Sequence, residues 1–318
     1  MGRKQKTEQL SAVAAFLRRH DNYDILTHDY PDGDTLGSAF ALCLVLQQMG
    51  KHARVITTYL PDDFLFLQKY VEKQDFVAQT VVSVDVADTK LLGSNRAVYE
   101  GKIDLCIDHH MTNKVMVPLR LVDGGAAANC EILYKLFRHM EISWTRAIAN
   151  CLYTGISTDT GCFRYTNTTS ETLRIAADIM DIGCDVAYIN KVMFETKSKK
   201  RIALEREIYD TMEYCLDGRC AIIAVTLKIQ RRVGVSDGEL EGLASIPRQI
   251  EGVDVGITMR EKTEGEFKVS VRTNGSVSAS QICAELGGGG HSAAAGCTVR
   301  GTLEQAKETL KATAARYL

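Results

Sequence analysis

Ile103-Asp104-Leu105-Cys106-Ile107-Asp108-His109-His110 is a short apolar run that ends on an acid and two imidazoles. A run of this length and composition reads as a buried strand. The polar triplet then falls at the strand's carboxyl end, where an open parallel α/β sheet gathers its ligands. Three further segments follow the same plan. Residues 23–27 form an apolar strand that stops at His28, with Asp32 and Asp34 on the turn beyond it. Residues 80–86 are another β-branched run and deliver Asp85. Residues 143–154 have helical periodicity and lead to Asp159. Helical patterns over 35–49, 127–140 and 170–183 alternate with the strands. This predicts an α/β fold with a doubly wound, mostly parallel sheet. Ser170 is the expected N-cap of the last of those helices.

Of the three imidazoles and five carboxylates gathered at this rim, two imidazoles and four carboxylates make the ligand set of a divalent metal pair. Such pairs most often hydrolyse phosphoesters. Gly33 lets the turn bend and aim Asp32 and Asp34 inward, whereas Asp34 alone would read as an Asx cap. A carboxylate at the end of a buried strand, as at Asp85, is costly unless paired or metal-bound. The small residues flanking Asp159 would let backbone approach a ligand closely. Phe163 and Arg164 are candidates to stack on a base. Cys106 and Cys151 are poor nucleophiles, because no motif supplies a base.

A chain of 318 residues suggests two domains. With 38 basic and 40 acidic residues there is no basic excess for a long duplex, but small anions remain open as substrates. The ten cysteines form no C-x-x-C pair and read as small core residues. Met1-Gly2 lacks the Ser or Thr of a myristoylation pattern, and no apolar run matches a signal peptide or a membrane span. The expected setting is cytoplasmic, away from membranes.

The pattern changes after Gly183. Residues 185–195 and 198–216 look helical, and Lys197, Lys199, Lys200 and Arg201 read as a solvated helix start. A second α/β unit follows, with strands at 221–227, 253–259 and 267–273 and helices at 239–250, 278–286 and 303–317. Gly287-Gly288-Gly289-Gly290-His291 presents bare N–H groups suited to a phosphate or ribose, and otherwise reads as a flexible loop. Arg272 on the preceding strand can fork onto phosphate oxygens, with Asn274 a weaker candidate for the same grip. The expected division is 1–187, a helical linker over 188–207, and 208–318.

These motifs resemble those of the DHH phosphoesterase superfamily. The four N-terminal segments match its motifs in order and spacing. Residues 267–272 and the stretch GGGGHSAAAG at 287–296 resemble the DHH-associated C-terminal domain, DHHA1. The combination is similar to the bacterial nanoRNase and pAp-phosphatase branch, and it covers essentially the whole chain. It implies a DHH metal-binding domain and a smaller α/β substrate-binding domain, with the active site in the cleft between them. It also implies two divalent cations of the manganese type. His28 and Asp32 would hold one, Asp34, His109 and Asp159 the other, and Asp85 would bridge them. Asp108 would orient an imidazole and His110 would face the scissile phosphate. Arg272, Gly288, Gly289, Gly290, His291, Asn274 and Arg164 would bind substrate. The implied partners are short RNA oligonucleotides, dinucleotides or 3′-phosphoadenosine 5′-phosphate (pAp), with no long duplex; a homodimer is a family-based expectation.

Three other readings compete. A cyclic or linear dinucleotide phosphodiesterase would use the same centre. An exopolyphosphatase or pyrophosphatase would share the first domain but not GGGGH. A non-catalytic nucleotide-binding regulator would be favoured by a missing metal ligand, and every expected ligand is present.

Overall fold

The computed structural model describes residues 3–235, 240 and 242–318. The chain divides into two compact units, Met1–Thr196 and Lys197–Leu318. The Met1-Gly2 pattern and the start of the helix expected at 239–250 lie outside the described residues.

The first unit opens with α1 (Arg3–Arg19) and β1 (Tyr23–Leu26), then α2 (Gly33–Gln48), β2 (Ala53–Ile56) and β3 (Thr80–Val84). It continues through α3 (Arg96–Tyr99), β4 (Leu105–Asp108), β5 (Leu119–Val122), α4 (Asn129–Met140), α5 (Arg146–Asp159), α6 (Ser170–Asp181) and α7 (Val186–Asn190). The five strands form a fully parallel sheet in the order β2-β1-β3-β4-β5. The chain runs outward from β1 to β2 and returns to place β3 on the other side of β1. That reversal opens a crevice at the carboxyl ends of β1 and β3. β1, β3 and β4 are buried along their whole length, which is why they read as unbroken apolar runs.

α2 is buried on nearly every side and crosses α5 at glycines. A Cβ on Gly37 would stand 2.4 Å from the Cys151 carbonyl, and one on Gly155 would stand 2.3 Å from Cys130 Sγ. The small residues before Asp159 therefore serve helix packing, not the ligand approach expected of them. α5 also runs on through Asp159, beyond the expected end at Thr154, so that carboxylate rides on a helix. Thr169, not Ser170, caps α6, because its hydroxyl and that of Thr172 close a reciprocal capping box.

Beyond α7, residues Lys191–Glu195 make a single π-helical turn. The second unit contains α8 (Lys199–Tyr209), β6 (Glu213–Cys215), β7 (Cys220–Val225), α9 (Leu227–Val233), β8 (Val255–Thr263) and β9 (Glu266–Thr273). It closes with α10 (Ala279–Ala284), β10 (Gly289–His291), β11 (Ala294–Arg300) and α11 (Leu303–Ala314). The expected helix over 198–216 thus stops at Tyr209, and its end becomes the edge strand β6. Lys197 and Arg201 both pair with Glu205. In place of an α-helix, the described part of 239–250 makes two 3-10 turns, Leu243–Ser245 and Pro247–Gln249. Gly242 at φ +71° and Pro247 both break α-helical continuity. The sheet order is β10-β11-β9-β8-β7-β6, with only β7 and β8 parallel. Phe267, Val269 and Val271 face α10 and α11, while Ile223 and Val225 face α8 and α9.

Candidate metal centre

β1 ends two residues before His28, whose Nε2 lies 4.0 Å from Asp32 Oδ1. Asp32 is the N-cap of α2 and accepts the amides of Asp34 and Thr35 at 3.1 and 3.0 Å. Asp34 is not the cap. It points back from the first turn, buried, and takes the amides of Asn129 and Cys130 at 2.6 and 2.9 Å. Those are the first amides of α4, so a helix N-terminus holds this carboxylate. Burial pushes the Asp34 pKa up, although His109 opposes the shift.

Asp85 leaves β3 with φ +56°, a left-handed conformation costly for a residue with a Cβ. The bend turns its carboxylate inward, where Oδ2 accepts from the Thr35 hydroxyl at 2.6 Å. Oδ1 is buried and has no hydrogen bond. It lies 3.4 Å from His109 Nε2 and 3.6 Å from His110 Nδ1. Burial first, then the charges of Asp34 and Asp32, hold the Asp85 pKa well above the ordinary carboxylate range. Asp159 is pushed up to about 7 by burial and then by Asp34.

β4 delivers Asp108, His109 and His110. The Nδ1 of His109 sits 3.3 Å from the Ala126 carbonyl, which leaves Nε2 to face Asp34, Asp85 and Asp159 at 3.8, 3.4 and 3.6 Å. His110 Nδ1 instead meets Asp108 at 2.8 Å. Asp108 is fully buried, and its other oxygen accepts from Asn113 at 2.5 Å. Burial alone would raise its pKa, but the hydrogen bonds from His110 and Asn113 override burial and lower it. The same Asp108 contact raises the His110 pKa.

Three groupings therefore bring ligand atoms within metal reach of one another: His28–Asp32–Asp85, Asp34–His109–Asp159 and Asp85–His109–His110. They line a pocket of about 230 Å³ with Tyr30 and Leu91. A larger hollow of about 430 Å³, lined by Gln47, Tyr70 and Arg146 among others, has none of these residues in its wall. The acidic and imidazole groups fit a divalent metal, and the buried Asp85 oxygen left without a donor is the atom such a cation would satisfy. Thr35 and Asn113 were missed in the sequence. A helix-start Thr and a loop Asn carry no signal that separates them from ordinary caps and turns.

In the second unit, Arg272 of β9 pairs with Ala294 of β11, and Ala294 pairs with His291 of β10. Gly289 and Gly290 are thus part of an edge strand, not the flexible loop otherwise expected. A Cβ on Gly288 would stand 2.2 Å from the Gly296 carbonyl, so the glycines permit the close approach to β11. The Asn274 amide donates to the Arg248 and Val253 carbonyls, both at 2.9 Å, and braces the segment 248–253. In the first unit, Phe163 is half-buried and packs on Tyr153 at 5.9 Å between ring centroids. Arg164 is exposed and turns its Nε to the Gly161 carbonyl at 2.6 Å.

A model of the DHH family, N-terminal domain, matches residues 24–156, and a model of the DHHA1 domain matches residues 221–318. The chain belongs to the DHH family. The DHH match contains His28, Asp32, Asp34, Asp85, Asp108, His109 and His110, and Asp159 lies just past it. The DHHA1 match contains Arg272, Asn274, the glycines and His291, while Arg164 lies in neither. A Thermus thermophilus protein named bifunctional oligoribonuclease and PAP phosphatase NrnA is 36% identical, covering 95% of this chain and 92% of its own length. The Bacillus subtilis protein of the same name is 24% identical, covering 92% of this chain and 93% of its own. A crystal structure of an exopolyphosphatase-related protein from Bacteroides fragilis superimposes with a TM-score of 0.87 at 25% identity, covering 98% and 96% of the two chains.

Proposed function

We propose that this DHH-family chain is a phosphoric-ester hydrolase. It cuts very short oligoribonucleotides and dinucleotides to mononucleotides and converts pAp to AMP. The observation that carries the reading is the Asp85 carboxylate: buried, raised in pKa, with Oδ1 lacking a donor and shared between two ligand groupings. A carboxylate at that depth is costly without a cation. The Thermus thermophilus relative and its name support the substrate class.

His28, Asp32 and Asp85 would hold one cation, and Asp34, His109 and Asp159 a second, with Asp85 common to both. Mn²⁺ suits this mixture of imidazole and carboxylate. When bound, such a pair supplies Lewis acidity to a phosphoryl oxygen and makes water a nucleophile near neutral pH. The protein's own groups supply the remainder. Asp108 holds the His110 ring at Nδ1 and raises its pKa, so the protonated ring would stabilise negative charge or give a proton to the leaving oxygen. Arg272, His291 and the outer edge of β10 hold a phosphate or ribose of the substrate. A net charge of −2 speaks against a long duplex as partner. The family-based homodimer belongs to the proposal, and sedimentation of the chain tests it.

The direct experiment is Mn²⁺-dependent release of mononucleotide from 5′-labelled two- to five-mers, set beside phosphate release from pAp and from pyrophosphate. Cleavage of the oligomers and pAp supports the reading. Cleavage of pyrophosphate alone contradicts it.

A further inference from the structure

One face of the second unit's sheet is partly roofed. Over β7 and β8 lie Leu204 and Ile208 of α8, Ile229 of α9, and Leu243 and Ile246 of the 3-10 region. Farther along, Lys268, Ser270, Gly296 and Thr298 line a groove of about 720 Å³. Arg272 shares the face of Lys268 and Ser270, because alternate residues of a strand point the same way.

Strand register assembles a row across this face. Gly256 of β8 pairs with Arg272, Arg272 with Ala294, and Ala294 with His291. Directly opposed residues of antiparallel strands project to the same side. A Cβ on Gly256 would come within 2.6 Å of the Arg248 main-chain nitrogen, so Arg248 rests on the row at that glycine. Asn274 anchors it there through the Arg248 carbonyl. Arg248, Arg272 and His291 therefore share one strip of surface. After burial, the Arg248 charge is the next cause that lowers the Arg272 pKa.

Among the described residues, neither arginine has an acidic partner. Arg248 Nε is buried without a hydrogen bond, and Arg272 reaches only the Val271 carbonyl, at 3.1 Å. Two neighbouring, partly buried guanidinium groups repel each other and lack a counter-charge. A phosphate monoester, with more charge than a bridging diester and three terminal oxygens, relieves both costs by accepting forked hydrogen bonds from each.

We propose that Arg248 completes a two-arginine seat for a terminal phosphate and so makes the enzyme select substrates that carry a phosphate besides the one hydrolysed. This deepens the reading of the chain as an oligonucleotide and pAp hydrolase and rests on it. Arg248 is a specificity-determining residue in this account.

The test uses the dinucleotides pApA and ApA, which differ only in the 5′-phosphate, with the full chain. Titration calorimetry in EDTA measures binding, and kcat and KM with Mn²⁺ measure turnover. The wild-type protein is expected to bind pApA at least about tenfold more tightly than ApA, the scale of a hydrogen-bonded charge pair. Arg248→Gln should remove most of that preference through KM, and Arg248→Lys should keep part of it. A wild type without preference, or an undiminished preference in Arg248→Gln, overturns the proposal. So does equal weakening of both ligands. A binding preference lost in Arg248→Gln, in a wild type that cleaves neither dinucleotide, would leave the seat standing and remove the hydrolase reading instead.

Discussion

The Nδ1 of His109 lies 3.3 Å from the main-chain oxygen of Ala126, and this contact decides which nitrogen faces the carboxylates. With Nδ1 turned to that carbonyl, the ring aims Nε2 toward Asp34, Asp85 and Asp159. His110, one residue on, has the opposite arrangement: its Nδ1 is bound to Asp108 and its pKa is raised. Adjacent imidazoles are thus set differently: His109 presents Nε2 to three carboxylates, and His110 is tied through Nδ1 to Asp108.

Thr35 supplies the hydrogen bond to Asp85 Oδ2, at 2.6 Å. Thr35→Val keeps the shape and removes the donor. Loss of a partner that orients a ligand costs about 10- to 100-fold in metal affinity or activity. Calorimetric titration with Mn²⁺ and a kcat/KM measurement check this; unchanged metal affinity would contradict the role given to Thr35.

Asp108→Asn should shift the alkaline limb of the pH–rate profile to lower pH. Its carboxylate is the leading cause that keeps His110 protonated above the ordinary imidazole range. Without it, the active protonated form is lost sooner as pH rises. A limb that stays in place would remove His110 from the acid's role.

Asp85 and Asp159 give the metal-free protein a distinct pH dependence. Burial holds Asp85 well above the ordinary range and Asp159 up to about 7. A carboxyl group whose pKa is higher in the folded state contributes stability that is complete below its unfolded value, about 4. That contribution is lost as pH rises through the folded value. Denaturant melts in EDTA should therefore show stability falling from about pH 4 through 7. Asp85→Asn should flatten the fall, and an equally steep slope in that variant would count against it.

Gly155→Ala should damage fold and site together. Its Cβ would meet Cys130 Sγ at 2.3 Å and Asp34 Oδ1 at 2.6 Å. Overpacking of this kind costs about 1–3 kcal/mol. Thermal denaturation should show a lower Tm, and metal affinity should fall with it. A variant with wild-type Tm and metal binding would show that α2 and α5 are less tightly fitted than described.

The residues that end strands were the legible part of the site. His28, Asp85 and Asp108-His109-His110 follow runs too apolar to be anything but buried, and parallel sheets place such ends together. The partners of those residues were not legible. Asp34 is held by amides of Asn129 and Cys130, far along the chain, and no local pattern announces that pairing. Gly155 looked like a ligand-facing residue because a glycine that admits a helix and one that admits a phosphate share a sequence. Gly289-Gly290-His291 looked like a loop because its strand character comes from pairing with β11, not from its own propensity. Arg248 sat in a segment that reads as an ordinary helix, and only the register of β8 and β9 brings it to Arg272.

On the proposed mechanism one buried carboxylate, Asp85, would join two metal sites. Titration of the metal-free chain with Mn²⁺, followed by calorimetry and electron paramagnetic resonance, tests it most directly. Two ions per chain with magnetic coupling between them are expected, with that coupling and turnover both lost in Asp85→Asn. A single uncoupled ion in fully active protein, or full activity in EDTA, would contradict it.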